Sequence, residues 1–424
     1  MDTIFALSSG RPPAAVSVIR ISGPGALEAG ARIAGALPEP RVAGLRQLTE
    51  PRSGEVLDDA LVLRFDSPAS ATGEDVVEFQ CHGGRAIVDA VLGALESIDG
   101  LRPAQPGEFT RRAFENGRID LTEAEGLADL IEAETESQRK AALALAEGGL
   151  RKQVAGWRQR ILGLSAEAER AIDYDEEDDG VDASLVRACG ALAAELREWL
   201  ERPRAERLKD GVRVVVAGPP NAGKSSLLNA IAGEERAIVT DVPGTTRDHI
   251  EVPLALGGVP ILLTDTAGLR ESGDEVEAIG IARAAMLAEA ADILVWLGEG
   301  DEAPAHRRTI RVQAKCDLPG RGEAPEGAVA ASALTGEGVG ELMQAIADEA
   351  ASLLPAEGAV ALNRRQATEL EAAGDALSAA AQASEVVLVA EGLRVARGAF
   401  DRLTGRAGLE DVLDALFGRF CLGK

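Results

Sequence analysis

Aromatic residues make up only 3% of the 424 residues: eight Phe, three Trp and one Tyr. So few rings argue against the stacking platforms that hold single-stranded nucleic acid. Positive charge is also short. Lys and Arg number 44 against 70 Asp and Glu, a formal net charge of −26. A surface this acidic does not grip a phosphate backbone over most of its extent. If the protein serves a nucleic acid, a basic partner does much of the holding; the plainer reading is that the excess keeps the chain soluble. Four cysteines (Cys81, Cys189, Cys316, Cys421) lie far apart, and with three histidines they form no zinc pattern. No apolar run reaches the roughly eighteen residues of a membrane helix. The stretch Met1–Leu7 lacks the basic and apolar regions of a secretion signal. These absences predict a reducing, cytoplasmic location.

What the chain does have is Gly218-Pro-Pro-Asn-Ala-Gly-Lys-Ser225. It follows a β-branched run, Val212–Ala217, and precedes Ser226–Ile231, which reads as a helix. Strand, glycine loop and helix form a phosphate-binding loop, whereas a plain surface turn needs neither neighbour. Converging backbone N–H groups and the helix N-terminus favour an anion there. Lys224 reaches β- and γ-phosphates, and the Ser225 hydroxyl suits Mg²⁺. Downstream, the polar stretch Thr240–Asp248 has the character of a switch that senses a γ-phosphate. The strand Val259–Thr264 ends in Asp265-Thr-Ala-Gly268. That aspartate suits an outer-shell Mg²⁺ contact, and the Gly268 N–H suits the γ-phosphate. Further strands are expected at Ala291–Leu297 and Arg311–Gln313. After the latter come Ala314-Lys-Cys-Asp317 and Ala330–Gly336. Asp317 facing guanine, with Ser332-Ala333 near O6, would reject adenine by leaving it unpaired.

The order of these elements reads as a Ras-like GTPase domain, with two departures. Ala314 stands where the base motif usually has asparagine, which removes one amide partner. Leu269 stands where such enzymes place a water-orienting glutamine. Glu271, Asp274, Glu275 and Glu277 are the local substitutes, and the spacing does not choose among them.

Upstream, residues 1 to about 117 alternate strands (Val16–Ile21, Ala60–Phe65, Val76–Gln80) with a helix over Ala86–Ser97. Two polar clusters stand out. One is Thr72-Gly-Glu-Asp75 with Glu78 and His82-Gly-Gly84; the other is Pro106–Phe114. Arg20 and Glu78 inside strands are costly to bury unpaired, so they either point outward or line a pocket. From Leu121 the pattern turns helical, over Leu121–Leu150 and Val154–Leu208, and again after Pro355 over Leu362–Ala383 and Glu391–Phe420. The acidic run Asp173–Asp179 is a solvated loop or, on a sharper reading, a metal site. Two helical stretches flanking an α/β segment predict one helical domain interrupted by another. The expected parts are an α/β domain (1–118), a helical domain in two pieces (119–209 and 355–424) and an inserted P-loop GTPase domain (210–354).

Taken together, several motifs resemble the tRNA modification GTPase family called MnmE or TrmE over nearly the full length. They are Val18–Gly23, Thr72–Asp75, Cys81-His-Gly-Gly84, Pro106–Thr110, Asp120–Glu125, Asp274–Gly280 and the ending Phe420-Cys-Leu-Gly-Lys424. The resemblance implies a homodimer that acts with MnmG (GidA), a flavin (FAD) protein, on the wobble uridine of certain tRNAs. It implies an N-terminal domain that binds a tetrahydrofolate donor (5,10-methylene or 5-formyl) through Arg20, Glu78, Arg118 and Lys424. Arg118 stands where a lysine is familiar, which alters the geometry.

For the nucleotide, it implies GTP contacts from Asn221, Ala222, Gly223, Lys224, Ser225 and Ser226. Those continue through Thr240, Asp241, Val242, Pro243, Gly244, Thr245 and Thr246, then Asp265, Thr266, Ala267 and Gly268. Lys315, Asp317, Ser332 and Ala333 complete the set. Ser225 and Thr246 would hold Mg²⁺; Asn221, Thr240, Val242 and Thr245 would hold K⁺. Glu277 would orient the attacking water, and Cys421 matches a family cysteine. The implied activity is a K⁺-stimulated GTP hydrolase in the addition of an aminomethyl-type group to carbon 5 of the uridine. The alternative is a regulatory or ribosome-assembly GTPase switch, against which the N-terminal domain and the chain's ending speak. A dead scaffold would require lost nucleotide binding.

Overall fold

The computed structural model describes residues 2–174, 181–234, 251–265, 285–298, 303–322, 324–407, 410–421 and 423. In chain order the elements begin with β1 (Thr3–Leu7), β2 (Val16–Ser22), α1 (Ala26–Ala34), β3 (Gly44–Thr49), β4 (Val56–Phe65), β5 (Val76–His82), α2 (Arg85–Glu96), β6 (Leu101–Pro103) and α3 (Glu108–Glu115). Helices follow: α4 (Leu121–Glu132), α5 (Glu136–Ala146), α6 (Gly149–Tyr174), α7 (Ala183–Leu200) and α8 (Glu206–Asp210). Then come β7 (Val212–Ala217), α9 (Lys224–Glu234), β8 (Glu251–Leu256), β9 (Val259–Asp265), β10 (Ile293–Trp296), β11 (Thr309–Ala314), β12 (Ala328–Ala331) and α10 (Val339–Ala351). The chain closes with α11 (Arg364–Ala380), α12 (Val386–Leu403) and α13 (Glu410–Phe417).

Two compact units emerge, one of residues 1–128 with 401–424 and one of residues 129–400. The first holds a six-stranded sheet in the order β3-β4-β5-β2-β1-β6. Its pairs are antiparallel except β1 with β6. Alternation explains the sheet. Val77, Phe79 and Cys81 on β5, with Ile19 and Ile21 on β2, are buried beside α1 and α2 residues such as Ile33, Val91 and Leu95. The residues between them on β5 face the other way. A smaller cluster joins Leu121, Ala124 and Ala128 of α4 to Leu416, Phe417 and Phe420.

The second unit holds a six-stranded sheet ordered β12-β11-β10-β7-β9-β8, parallel except for the edge strand β8. β7 is buried on both faces through Val214, Val215 and Val216, as a central parallel strand requires. Pro253 lies in β8, where an edge strand tolerates a missing donor. In the helical part Trp157 meets Trp199 edge-on at 5.3 Å and stacks on Phe400 at 5.8 Å. Glu195 accepts from Trp157 Nε1 at 2.7 Å and satisfies the one polar atom of that ring.

The long helices of the sequence reading are shorter and more numerous. The span Leu121–Leu150 divides where Thr135 and Gln138 form a capping box and where Gly148 adopts φ +79°. Val154–Leu208 falls into α6, α7 and α8, with Asp182 capping α7. Glu391–Phe420 divides at Gly405, whose φ is +78° and where a Cβ would lie 2.8 Å from the Phe114 ring. Periodicity registers faces and not these breaks. The strands β1, β3, β6, β8 and β12 carry no expectation from the sequence; all are edge or near-edge strands, and β6 spans three residues.

Candidate functional site

The nucleotide motif is built on two neighbouring parallel strands. β7 delivers the loop at Gly218, where a Cβ would sit 3.2 Å from the backbone nitrogen of Leu297. Glycine is therefore required by that approach as well as by its φ of +152°. Asn221, with φ +62°, turns the loop, and Gly223, with φ +101°, leads into α9. Lys224 is buried, and its ammonium donates to the carbonyl oxygens of Gly218 and Pro219, both at 2.9 Å. β9 ends on Asp265, also buried. The Ser225 hydroxyl donates to Asp265 Oδ2 at 2.5 Å. A hydroxyl and a carboxylate at this spacing are the hard oxygen donors that suit Mg²⁺ beside a phosphate.

The loops that carry Lys315, Asp317, Ser332 and Ala333 follow β11 and β12. The Ser332 hydroxyl is fully buried and donates to Asp317 Oδ1 at 2.6 Å. The Ser332 Oγ itself accepts from the N–H groups of Leu334 and Thr335, each at 3.2 Å. Asp317 is thereby held at one oxygen, with Ala333 beside it in sequence. Lys315 has φ +61° and crosses to the phosphate loop, where its Nζ donates to the Asn221 carbonyl at 2.7 Å. Ala314 is buried at the end of β11. Burial pushes the neighbouring Cys316 thiol up, and the carboxylates of Glu337 and Asp317 push it further.

Thus Asn221, Ala222, Gly223, Lys224, Ser225 and Ser226 fall on one loop and helix start, and Lys315, Asp317, Ser332 and Ala333 on two adjacent loops. Residues 240–246, Thr266, Ala267, Gly268, Leu269, Glu271, Asp274, Glu275, Glu277, Lys424 and the acidic run 175–179 lie outside the described residues.

The N-terminal unit answers the question left by Arg20 and Glu78. They stand opposite each other on β2 and β5, and Arg20 Nε donates to Glu78 Oε1 at 2.8 Å. Both are part-buried, and the guanidinium lies 5.5 Å from the Phe109 ring centroid. Arg20 thus has an anionic and an aromatic neighbour in a part-buried place. Gly423 comes to the same strands: a Cβ there would lie 2.0 Å from the Leu7 carbonyl, and Leu7 pairs with Ile19 beside Arg20. Cys421 is exposed. Arg118 is exposed, and its stem runs past Gly73, whose added Cβ would meet Arg118 Cγ at 3.1 Å.

One residue absent from the sequence expectations organises this region. Arg112 is 6% exposed and donates to Glu74, Asp2 and Glu108. Glu74 also accepts from Ser22 Oγ at 2.7 Å, which ties the Thr72–Asp75 loop to β2. The hydrogen bond from Arg102 holds the Asp2 carboxyl down at about 2. Burial raises Glu108, but hydrogen bonds from Arg102, the Gln105 N–H and Arg112 outweigh it, and the carboxyl ends below its ordinary range. The signal was present: Phe109, Arg112 and Ala113 share one face of α3, and two of the three are apolar.

A strand, phosphate loop and helix beside a guanine-type pair of loops define a P-loop GTPase domain. Comparison with known proteins agrees and goes further. The family model for the MnmE helical domain matches residues 121–421, and the model for the GTP-binding protein TrmE N-terminus matches residues 3–118. The tRNA modification GTPase MnmE of Novosphingobium aromaticivorans is 53% identical over 435 residues, covering 100% of both chains. That of Rhizorhabdus wittichii is 55% identical over 428 residues, covering 100% of this chain and 97% of its own. That of Erythrobacter litoralis is 54% identical over 431 residues, covering 100% of each. The chain belongs to the tRNA modification GTPase MnmE family. Among solved structures, the G domain of the T. maritima FeoB iron transporter is 27% identical over 33% of this chain and 98% of its own, at a TM-score of 0.24. Among the described residues no helix is long and apolar enough to cross a membrane.

Proposed function

We propose that this chain hydrolyses GTP and couples the cycle to modification of the wobble uridine of certain tRNAs, as a cytoplasmic homodimer. In this reading it works with MnmG, an FAD protein that carries much of the tRNA. The added group is of the aminomethyl type, at carbon 5, and its one-carbon unit comes from a tetrahydrofolate. The α/β part, residues 1–118, takes the folate through Arg20, Glu78, Arg118 and Lys424. Residues 210–354 form the GTPase part, inserted between helical pieces 119–209 and 355–424.

The observation that carries the reading is the bond from Ser225 to Asp265, which joins two motifs 40 residues apart at the ends of β7 and β9. Lys224, freed from the loop carbonyls, neutralises the β- and γ-phosphates. Ser225 and Thr246 hold Mg²⁺, with Asp265 behind Ser225. Asp317, steadied by Ser332, accepts from the guanine edge. Asn221, Thr240, Val242 and Thr245 hold K⁺. Bound there, the cations supply positive charge where the phosphates accumulate negative charge. Glu277 orients water in place of the glutamine that Leu269 displaces. The alternative, a regulatory or ribosome-assembly switch, leaves the Arg20–Glu78 pair without a role.

The test is turnover of Glu277→Ala. Nucleotide affinity stays at the wild-type value and hydrolysis slows by about 10²-fold or more. Unchanged turnover would refute the role of Glu277, and equal wild-type rates in K⁺ and Na⁺ would refute the K⁺ site.

A further inference from the structure

The β8–β9 hairpin lies between two of the proposed nucleotide contacts, and its tip ends on a helix outside its own sheet. The chain runs from Thr246 to the start of β8 at Glu251, and β9 ends on Asp265. The strands pair in an unbroken register from Glu251–Thr264 to Leu256–Val259. Those paired positions make a ribbon of about 20 Å. The turn is Gly257-Gly258, with φ +56° and +80°, the two positive values that a type I′ turn demands. So tight a turn leaves no slack between the strands. β8 is the edge of the sheet and pairs there with β9 alone.

The tip meets the first turn of α5. The Gly258 carbonyl accepts the Ser137 N–H at 3.2 Å. Ser137 is the second residue of α5, so its N–H is among those that find no acceptor within the helix. Thr135 Oγ1 accepts the Gln138 N–H at 3.3 Å, and Gln138 Oε1 accepts the Thr135 N–H at 2.8 Å. The helix start thus caps two of its own donors and relies on the hairpin for a third. The approach is close: a Cβ added at Gly258 would lie 3.4 Å from Glu136 Cβ. Gln138 Nε2 adds a second tie, to the Leu208 carbonyl at 2.9 Å. The flank of α5 beside α8 is less well filled. A cavity of about 360 Å³ opens there, lined in part by Ala141, Ala142, Leu145, Ala205 and Leu208. A helix that is not close-packed on one side loses few contacts when it shifts.

We propose that the Gly258–Ser137 joint carries the nucleotide state of the second sheet to α5. The proposal rests on the reading of Thr246 and Asp265 as groups at Mg²⁺. GTP with Mg²⁺ holds both, and so fixes both ends of the ribbon. Gly258 then stays on Ser137, and the first turn of α5 is ordered. With GDP the hold on Thr246 is lost, the tip leaves Ser137 and that N–H turns to water. The two states differ by one bond at a helix start, and GTP favours the bonded one. α5 leads through Gly148 into α6, whose Trp157 packs on Trp199 and Phe400, so the change has a route into the helical core.

The experiment uses the full chain, with its flavin partner and tRNA where modification is measured. Amide hydrogen exchange at Ser137 is compared in GDP and in a non-hydrolysable GTP analogue, both with Mg²⁺ and K⁺. Exchange is slower with the analogue by about tenfold, the worth of one hydrogen bond. Equal exchange in the two states, or slower exchange in GDP, overturns the proposal without any variant. Ser137→Pro removes the N–H within the first turn, where a helix tolerates proline. It hydrolyses GTP like the wild type, and tRNA modification per GTP falls about tenfold. Ser137→Ala keeps the N–H and both rates. Unchanged modification in Ser137→Pro, or an equal loss in Ser137→Ala, also overturns the proposal. Wild-type GTP hydrolysis that needs no Mg²⁺ overturns instead the reading of Thr246 and Asp265 on which it rests.

Discussion

The two six-stranded sheets carry their chemistry in opposite ways. In the sheet of residues 212–331, the candidate groups sit at the ends of parallel strands: Gly218–Ser225 after β7, Asp265 at the tip of β9, Lys315–Asp317 after β11 and Ser332 after β12. A parallel sheet buried on both faces has only its ends to offer a ligand. In the sheet of the N-terminal unit, the candidate pair stands on a face, in mid-strand, and is matched by register: Arg20 opposite Glu78. An antiparallel sheet can leave one face open to ligands, and cross-strand pairing brings distant residues together there. The lesson is that a loop-end site is written contiguously in the sequence, whereas a face site is written in pieces that only register assembles.

If the two sheets work independently at the level of binding, variants in one should leave the other intact. The largest effect is expected for Lys224→Ala, which removes the charge at the phosphates. GTP turnover falls by about 10³-fold, while 5-formyl-tetrahydrofolate binding, measured by equilibrium titration, is unchanged. A loss of both would break the comparison. Arg112→Met leaves the little-exposed Glu74 and Glu108, and the more exposed Asp2, with less counter-charge. It lowers the stability of the N-terminal unit by about 3–5 kcal/mol, read as an early transition in urea, with guanine nucleotide affinity retained. A single concerted transition at the wild-type midpoint would refute the role of Arg112.

Smaller effects sharpen the picture. Ala314→Asn restores an amide to the base loop and tightens guanine nucleotide binding by about tenfold, measured by competition against a fluorescent analogue. No gain would mean that another group already fills that role. The smallest effect concerns acid. Asp2, lowered from 3.8 to about 2, contributes stability that is complete above about pH 4 and is lost as the pH falls toward 2. Glu108, also lowered, follows the same sign. The midpoint of the N-terminal unit should therefore hold from neutral pH to about 4 and then fall, and a midpoint that rises on acidification would contradict the ion-pair account.

This contrast also explains what was legible beforehand. The phosphate loop, Asp265 and the Lys315–Asp317 stretch were readable because each is a short string with a strand before it. Arg20 and Glu78 were visible as charges in strands, but their pairing was not, since 58 residues separate them. Arg112 was hidden inside a run of charged residues. Its burial depends on Glu74 and Asp2, which no local pattern connects to α3. The helix breaks at Gly148 and Gly405 were missed because an apolar period continues across a single αL residue. For the Arg20–Glu78 pair and for Arg112 the missing information was a long-range contact, and for the helix breaks it was a local backbone conformation.

Lys315 ties the loop after β11, proposed to read the base, to the Gly218–Ser225 loop, through one bond to the Asn221 carbonyl. Ordering either loop therefore lowers the entropy left to be lost by the other. Guanosine and pyrophosphate, supplied as separate molecules, should then bind with positive cooperativity, each raising the affinity for the other by the same factor. The intact nucleotide would owe part of its affinity to a lysine that shares its interaction between two halves of the site.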